Sequence, residues 1–272
     1  MSSRPKIDLS PLVKDPESLE ARIAAILQPA LDSAPTALTS EALAGDIDKL
    51  YPADYQPKEG DGDVVADILW SLWSFLIKAV KKIPADDVRQ QLVADALRKL
   101  QTKERQDAKV WGQDCKMWGD LGLLGPNMRE AWDMRPNFNK ADSEAVAEWT
   151  SLNTFAALLL GNNVQDWNNF AIWELRGALE EDASSNADRD GQLWASSEWI
   201  LHAGDVLRAK KGMGELDPME RRMLKGGSKF EGEPGLSDER WQFWRTRFAE
   251  LGEQVEDEAL KAKLEKVVKK MV

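Results

Sequence analysis

The chain has 272 residues, 43% of them hydrophobic and 31% charged, with a formal net charge of −11. A chain of that length buries ~75% of the surface its unfolded form exposes, so it needs neither disulfide nor metal to hold a core. Its composition excludes disorder, a collagen-like repeat and a membrane channel.

Apolar residues recur at helical spacing almost throughout, and strand-like alternation is nearly absent. Residues 1–15 carry Pro5 and Pro11 and read as loose chain. Pro16 to Gln28 reads as a helix with Leu19, Ile23, Ile26 and Leu27 on one stripe, followed by a Pro/Ser/Thr linker over 29–40. Thr39-Ser40-Glu41 opens a short helix to Leu50, and Pro52 to Gly62 is a loop. Asp63 caps a helix through Lys82, where Pro84 stops it. Asp86 caps the next helix, through Leu100. A shorter helix is expected over Val110–Leu121, and another after Pro126. Asp142 opens a helix to Leu160, ended by Gly161-Asn162-Asn163. Helices follow over 164–181 and 192–210, with a polar loop between them. Gly212, Gly214 and Pro218 break the chain. Ser237 caps a helix carrying Trp241, Trp244 and Phe248. The last helix, Val255–Val272, places acids first and lysines last, as the helix dipole favours.

This pattern predicts an all-α protein, an irregular bundle of roughly ten helices with a Trp-rich core. The expected organisation is an N-terminal arm over 1–62, a helical core over 63–252 and a charged amphipathic helix over 253–272.

Charge and cysteine count narrow the function. An acidic chain repels phosphate backbones unless its cations cluster. The densest cluster, Arg208, Lys210 and Lys211 with Arg221, Arg222 and Lys225, is diluted by Glu215, Asp217 and Glu220, so no nucleic-acid binding is expected. Cys115 is the only cysteine, so no disulfide forms within the chain. Lys116 favours its thiolate and Asp114 opposes it, and it reads as a half-buried structural residue. Met1–Asp8 holds no apolar leader, and the apolar run Ile68–Val80 falls short of the ~20 residues of a membrane span. These features point to a cytoplasmic or nuclear protein that does not enter a membrane.

The unusual feature is twelve Trp against two Tyr and seven Phe. Trp70/Trp73, Trp194/Trp199, Trp241/Trp244 and the row Trp167, Phe170, Trp173 follow helix spacing and bury large areas. The most distinctive run is Glu148-Trp149-Thr150-Ser151-Leu152-Asn153-Thr154-Phe155-Ala156-Ala157-Leu158. It resembles the central motif of a family of uncharacterised fungal proteins, catalogued only as a domain of unknown function. Trp111 with Trp118-Gly119-Asp120-Leu121, Met128-Arg129-Glu130 before Trp132, the run Trp173–Glu180 and the run Trp241–Phe248 are similar to the same family. The resemblance spans about residues 63–252. It implies an all-helical fold and a fungal origin, and brings no activity, cofactor or catalytic residue.

Candidate site residues lie on these helices. Asn153 shares an apolar stripe with Trp149, where a buried amide must be hydrogen-bonded, to a neighbouring helix or to a ligand. His202 has Glu198 at i−4, Asp205 at i+3 and Trp199 beside it. A carboxylate pair there could fix its tautomer, either as a structural residue or as a base. Arg176, between Trp173 and Glu180, reads as one half of an exposed Arg176–Glu180 pair worth ~0.3–0.5 kcal/mol, or as a grip for an anion. Residues 186–197 begin like a calcium loop, but Ser197 stands where a bidentate Glu belongs. Asp86-Asp87 has no third acid, and Lys225–Lys229 lacks the context of a phosphate loop. One His and one Cys exclude a conventional zinc site. No metal, cofactor or catalytic set is expected.

The expected function is a helical binding protein that presents an aromatic groove to a protein partner without chemistry of its own. Trp149, Asn153, Trp173, Arg176, Trp199 and His202 are the candidate contacts. The alternatives are an enzyme or carrier with a Trp-lined pocket for a small apolar ligand, and a homo-oligomer built on the Leu260, Leu264, Val267, Val268, Met271 stripe.

Overall fold

The protein is described by a computed structural model over residues 5–51, 62–105, 107–212 and 216–272. Residues 1–4 of the expected loose segment 1–15, residues 52–61 of the expected loop Pro52–Gly62, the side-chain cap at Asp63, and Gly214 and Glu215 lie outside the described residues, and Gly62 itself begins a helix. Among the described residues the chain forms eleven α-helices and one two-stranded hairpin, around a core rich in buried Trp. None of these helices is long and apolar enough to cross a membrane. The chain divides into two compact units, Met1–Arg135 and Pro136–Val272.

In the first unit, α1 (Leu19–Asp32) is capped by the Ser18 hydroxyl and α2 (Ala37–Asp48) by Thr36. Pro29 lies inside α1, so the linker expected from residue 29 begins only at Ser33. Proline removes one backbone donor, and the buried face of Ile23, Leu27 and Leu31 carries the helix past it. α3 (Gly62–Lys81) and α4 (Arg89–Leu100) follow, and α2 packs on α4. Asp87, not Asp86, serves the start of α4. Its carboxylate accepts from the Arg89 backbone N–H at 2.9 Å and holds the buried Arg89 guanidinium, which also donates to the Leu31 and Pro5 carbonyls.

The helix expected over 110–121 is instead a hairpin, β1 (Ala108–Val110) paired antiparallel with β2 (Gln113–Cys115), followed by tight turns. Trp111 and Gly112 both have positive φ, 51° and 77°, the signature of a two-residue type I′ connection. α5 (Leu124–Asp133) closes the unit against α3. Two buried indoles fix the interior. Trp73 Nε1 donates to the Gly122 carbonyl at 2.6 Å and Trp118 Nε1 to Asp48 Oδ1 at 2.7 Å, with the rings edge to face at 6.3 Å. Such a pair adds about 0.5–1.5 kcal/mol beyond its area.

The second unit is built around α8. The helices are α6 (Ser143–Gly161), α7 (Asn168–Leu179), α8 (Asn186–Ala209), α9 (Pro218–Met223), α10 (Asp238–Gly252) and α11 (Glu258–Lys270). Asp142, Ser185, Ser237 and Asp257 cap α6, α8, α10 and α11 with their side chains. α8 starts six residues earlier than its apolar pattern indicates, because the Ser185 cap precedes a polar first turn. The calcium-like run 186–197 is therefore helix.

α6 is buried on every side from Trp149 to Leu160, as a central core helix must be. It packs chiefly on α8, which also meets α7 and α11. A Cβ at Gly161 would overlap the His202 carbonyl, so only glycine lets α6 end against the α8 backbone. Leu260, Leu264 and Val267 on α11 and Met271 just after it are buried, and Trp241 Nε1 reaches the Met271 carbonyl at 3.2 Å.

Candidate functional site

Hydrogen bonds gather the six sequence-derived candidates into three groups, all in the second unit. Trp149, Asn153 and Trp199 form the first, deep between α6 and α8. Asn153 Nδ2 donates to the Trp149 carbonyl at 2.9 Å, and Trp199 Nε1 donates to Asn153 Oδ1 at 2.8 Å. All three are buried. Both ends of the Asn153 amide are thus used within the chain.

Trp173 and Arg176 form the second group, half-buried on α7. Trp173 Nε1 and Arg176 Nη1 both donate to the Met223 carbonyl, at 3.0 and 3.3 Å. Trp173 also ends the row Trp167–Phe170–Trp173, whose rings meet edge to face at 5.7 and 5.5 Å.

His202 belongs to the third group. Its Nε2 lies 3.1 Å from Glu198 Oε2, and Lys263 of α11 pairs with the other carboxylate oxygen. The Lys263 ammonium also sits 4.8 Å from the centroid of the Trp194 ring, a cation–π contact. Burial pushes the Glu198 carboxyl up, but the His202 hydrogen bond and the Lys263 charge together outweigh it and hold the group below the ordinary glutamate value. Asp205, expected beside His202, is paired at 3.8 Å with Lys270. A carboxylate that orients a half-exposed imidazole is chemically competent to support a base. The serines of the same helix do not complete such a set, since Ser196 and Ser197 are buried and donate to the Leu193 carbonyl.

The expected exposed Arg176–Glu180 pair is corrected by the structure. Glu180 is fully buried and pairs in a two-pronged fork with the equally buried Arg240, at 2.6 and 2.9 Å. Trp244 Nε1 and the Gly227 N–H also donate to the Glu180 carboxylate, at 2.6 and 2.7 Å. The remaining Arg240 donors reach the carbonyls of Leu224, Lys225 and Gly235. A buried pair is tolerated only when its other polar atoms are satisfied in this way. The two residues are sixty positions apart, so no local spacing reveals them.

In the first unit, Trp111 stands out. Of the twelve Trp residues, eight are buried and three half-buried, whereas Trp111 is 59% exposed. It occupies a left-handed position, φ 51°, that costs a non-glycine residue about 1–2 kcal/mol. Its ring lies 5.7 Å from that of half-buried Trp70 on α3, tilted by 48°. An asparagine would fill the turn at less cost, and an exposed indole would avoid water elsewhere. The sequence signal, a Trp-Gly pair between short strand-like runs, is hidden by helix-spaced apolar residues on both sides.

Cys115 ends β2 half-buried. Burial, then the carboxylates of Asp120 and Asp107, push its thiol above the ordinary range. Among the described residues, no group of three or more His, Cys, Asp or Glu side chains is placed to hold a metal ion.

Residues 73–248 match the model of a family described as "Protein of unknown function (DUF3632)". No curated protein and no solved structure matches the chain.

Proposed function

We propose, for a chain that belongs to the DUF3632 family, that it works as an intracellular helical binding protein, using an exposed aromatic surface to hold a protein partner and carrying no catalysis of its own. The observation behind this reading is Trp111, exposed, backbone-strained and braced by Trp70. Strain of this kind persists where surrounding structure and function both maintain it. An amphipathic ring held rigid at a hairpin tip loses little entropy on binding, and Trp is the residue type most enriched at interface hot spots.

The reading moves the anchor away from Trp149 and Trp199, which the core already uses. The test is a photo-reactive phenylalanine analogue at position 111 in cells, to capture and identify the partner. The purified partner is then titrated against the wild type and Trp111→Ala. A hot-spot indole predicts at least about 30-fold weaker binding. Equal affinity for the two proteins overturns the reading.

A further inference from the structure

Trp111 and Trp70 meet at 5.7 Å with their ring planes 48° apart, so the two indoles form an open corner. One wall comes from the hairpin tip and the other from α3. Trp111 is 59% exposed and Trp70 half-buried. Lys263 and Arg240 of the second unit lie over Trp194, Phe230 and Trp244, whereas among the described residues neither ring of this corner is covered by a cation.

Charge around the corner is unbalanced. Residues 64–71 and 107–114 build it, and they hold Asp67, Asp107 and Asp114 against Lys109 alone. All four are exposed, and among the described residues none of the four side chains is in an ion pair or hydrogen bond. Asp67 stands one turn before Trp70 on α3, and Asp114 sits opposite Lys109, one residue pair back from the hairpin tip. The next charges along the chain, Lys116 and Asp120, cancel. The chain as a whole carries −11. The face of an indole is negative, and a surplus of carboxylates beside it adds a field of the same sign, so the corner draws a cation.

We propose that the Trp70–Trp111 corner takes an arginine side chain of the protein partner, its guanidinium stacked on the Trp111 ring and its charge met by Asp67 and Asp114. This rests on the partner-binding reading of Trp111 and adds the chemistry of what is bound.

Arginine fits this corner better than the other side chains that could cover an indole. Its guanidinium is planar and weakly hydrated, so it stacks on an aromatic face while its rim donors stay free to reach a carboxylate. A lysine ammonium is a strongly hydrated point charge, and a corner this open does not replace its water. An aliphatic side chain would cover the ring but would draw the neighbouring carboxylates out of water with nothing to pair them.

The test uses the full chain labelled with 15N, whose indole N–H signals are followed by NMR. The Trp70 and Trp111 signals are assigned by their loss in single Trp→Phe variants. The probes are acetyl-Gly-Gly-Arg-Gly-Gly-amide and the same peptide with citrulline, which has nearly the shape of arginine and no charge. The arginine peptide is expected to shift both signals saturably, and the citrulline peptide to bind at least about threefold more weakly, as an exposed cation–π contact requires. Asp67→Asn combined with Asp114→Asn is expected to weaken the arginine peptide by a similar factor and to leave the citrulline peptide unchanged. Equal binding of the two peptides to the wild type, or signals that stay in place at millimolar peptide, overturns the proposal, and this comparison needs no variant to fold. If the captured partner still loses affinity for Trp111→Ala, the partner-binding reading survives that failure. Equal partner affinity for wild type and Trp111→Ala overturns the reading whatever the peptides do.

Discussion

The Trp199 indole N–H donates to Asn153 Oδ1 at 2.8 Å, across forty-six residues of chain and entirely out of water. This bond fixes the register of α6 on α8, because each partner sits on a helix buried around most of its circumference. Asn153→Leu keeps the volume and removes the acceptor. The expected loss is about 1–3 kcal/mol, the cost of stranding a buried donor. Trp199→Phe added to Asn153→Leu removes the stranded N–H, so the double mutant is expected to lose less than the sum of the two single changes. Urea unfolding of the four proteins in a double-mutant cycle measures the coupling, and strict additivity would show that the bond does not hold the register.

Glu198 predicts a pH dependence of stability with a definite sign. Its carboxyl is held below the ordinary glutamate value of 4.5 in the folded chain. A depressed carboxyl stabilises the fold fully above its unfolded value, and that contribution is lost as pH falls through the folded value. Stability is therefore expected to fall below about pH 4.5. Lys263→Met removes one of the cations that oppose the burial cost, so the folded carboxyl titrates nearer to or above its unfolded value and the acid loss should shrink or reverse. Urea midpoints from pH 7 to 3 follow both proteins. Superimposable profiles after correction for the change at pH 7 would show that Lys263 does not set the carboxyl.

Local signals account for much of this architecture. Asp142 and Ser237 announce α6 and α10 because a side-chain cap and the apolar stripe behind it lie within one turn. The hairpin at 108–115 is hidden because three-residue strands are too short for alternation to show, and the flanking Trp and Leu residues fit a helix equally well. The stripe shared by Asn153 and Trp149 is legible from spacing alone, but Trp199 as the partner of Asn153, forty-six residues away, is not. Arg240 and Glu180 are not legible either, since their pairing joins α10 to the end of α7 over sixty residues. Nor is the exposure of Trp111, because an indole at helix spacing normally belongs to the core.

Cys115 is expected to be a slow nucleophile. Burial and the carboxylates of Asp120 and Asp107 raise its thiol above the ordinary range, so little thiolate is present near neutrality. The Sγ also packs against Gly122, where a Cβ would overlap it. Reaction with a maleimide at pH 7.5, a pH we choose to lie below the ordinary thiol value, should be several-fold slower than for a free thiol and should recover in urea. A folded-state rate equal to that in urea would place the thiol in an open, unperturbed setting.

Trp111→Asn separates what the fold needs at position 111 from the binding role proposed for it. Asparagine adopts the left-handed conformation of a type I′ turn with less strain than tryptophan, a gain of about 1 kcal/mol. The change also removes the contact with Trp70, worth about 0.5–1.5 kcal/mol for an aromatic pair. The two effects nearly cancel, so the unfolding free energy should move by less than about 1 kcal/mol. A residue retained for packing would instead cost about 3–5 kcal/mol on truncation, the range of buried aromatic side chains. Chemical unfolding of the two proteins distinguishes these outcomes. A small change would mean that the fold does not require an indole at the hairpin tip, as the proposed binding role expects.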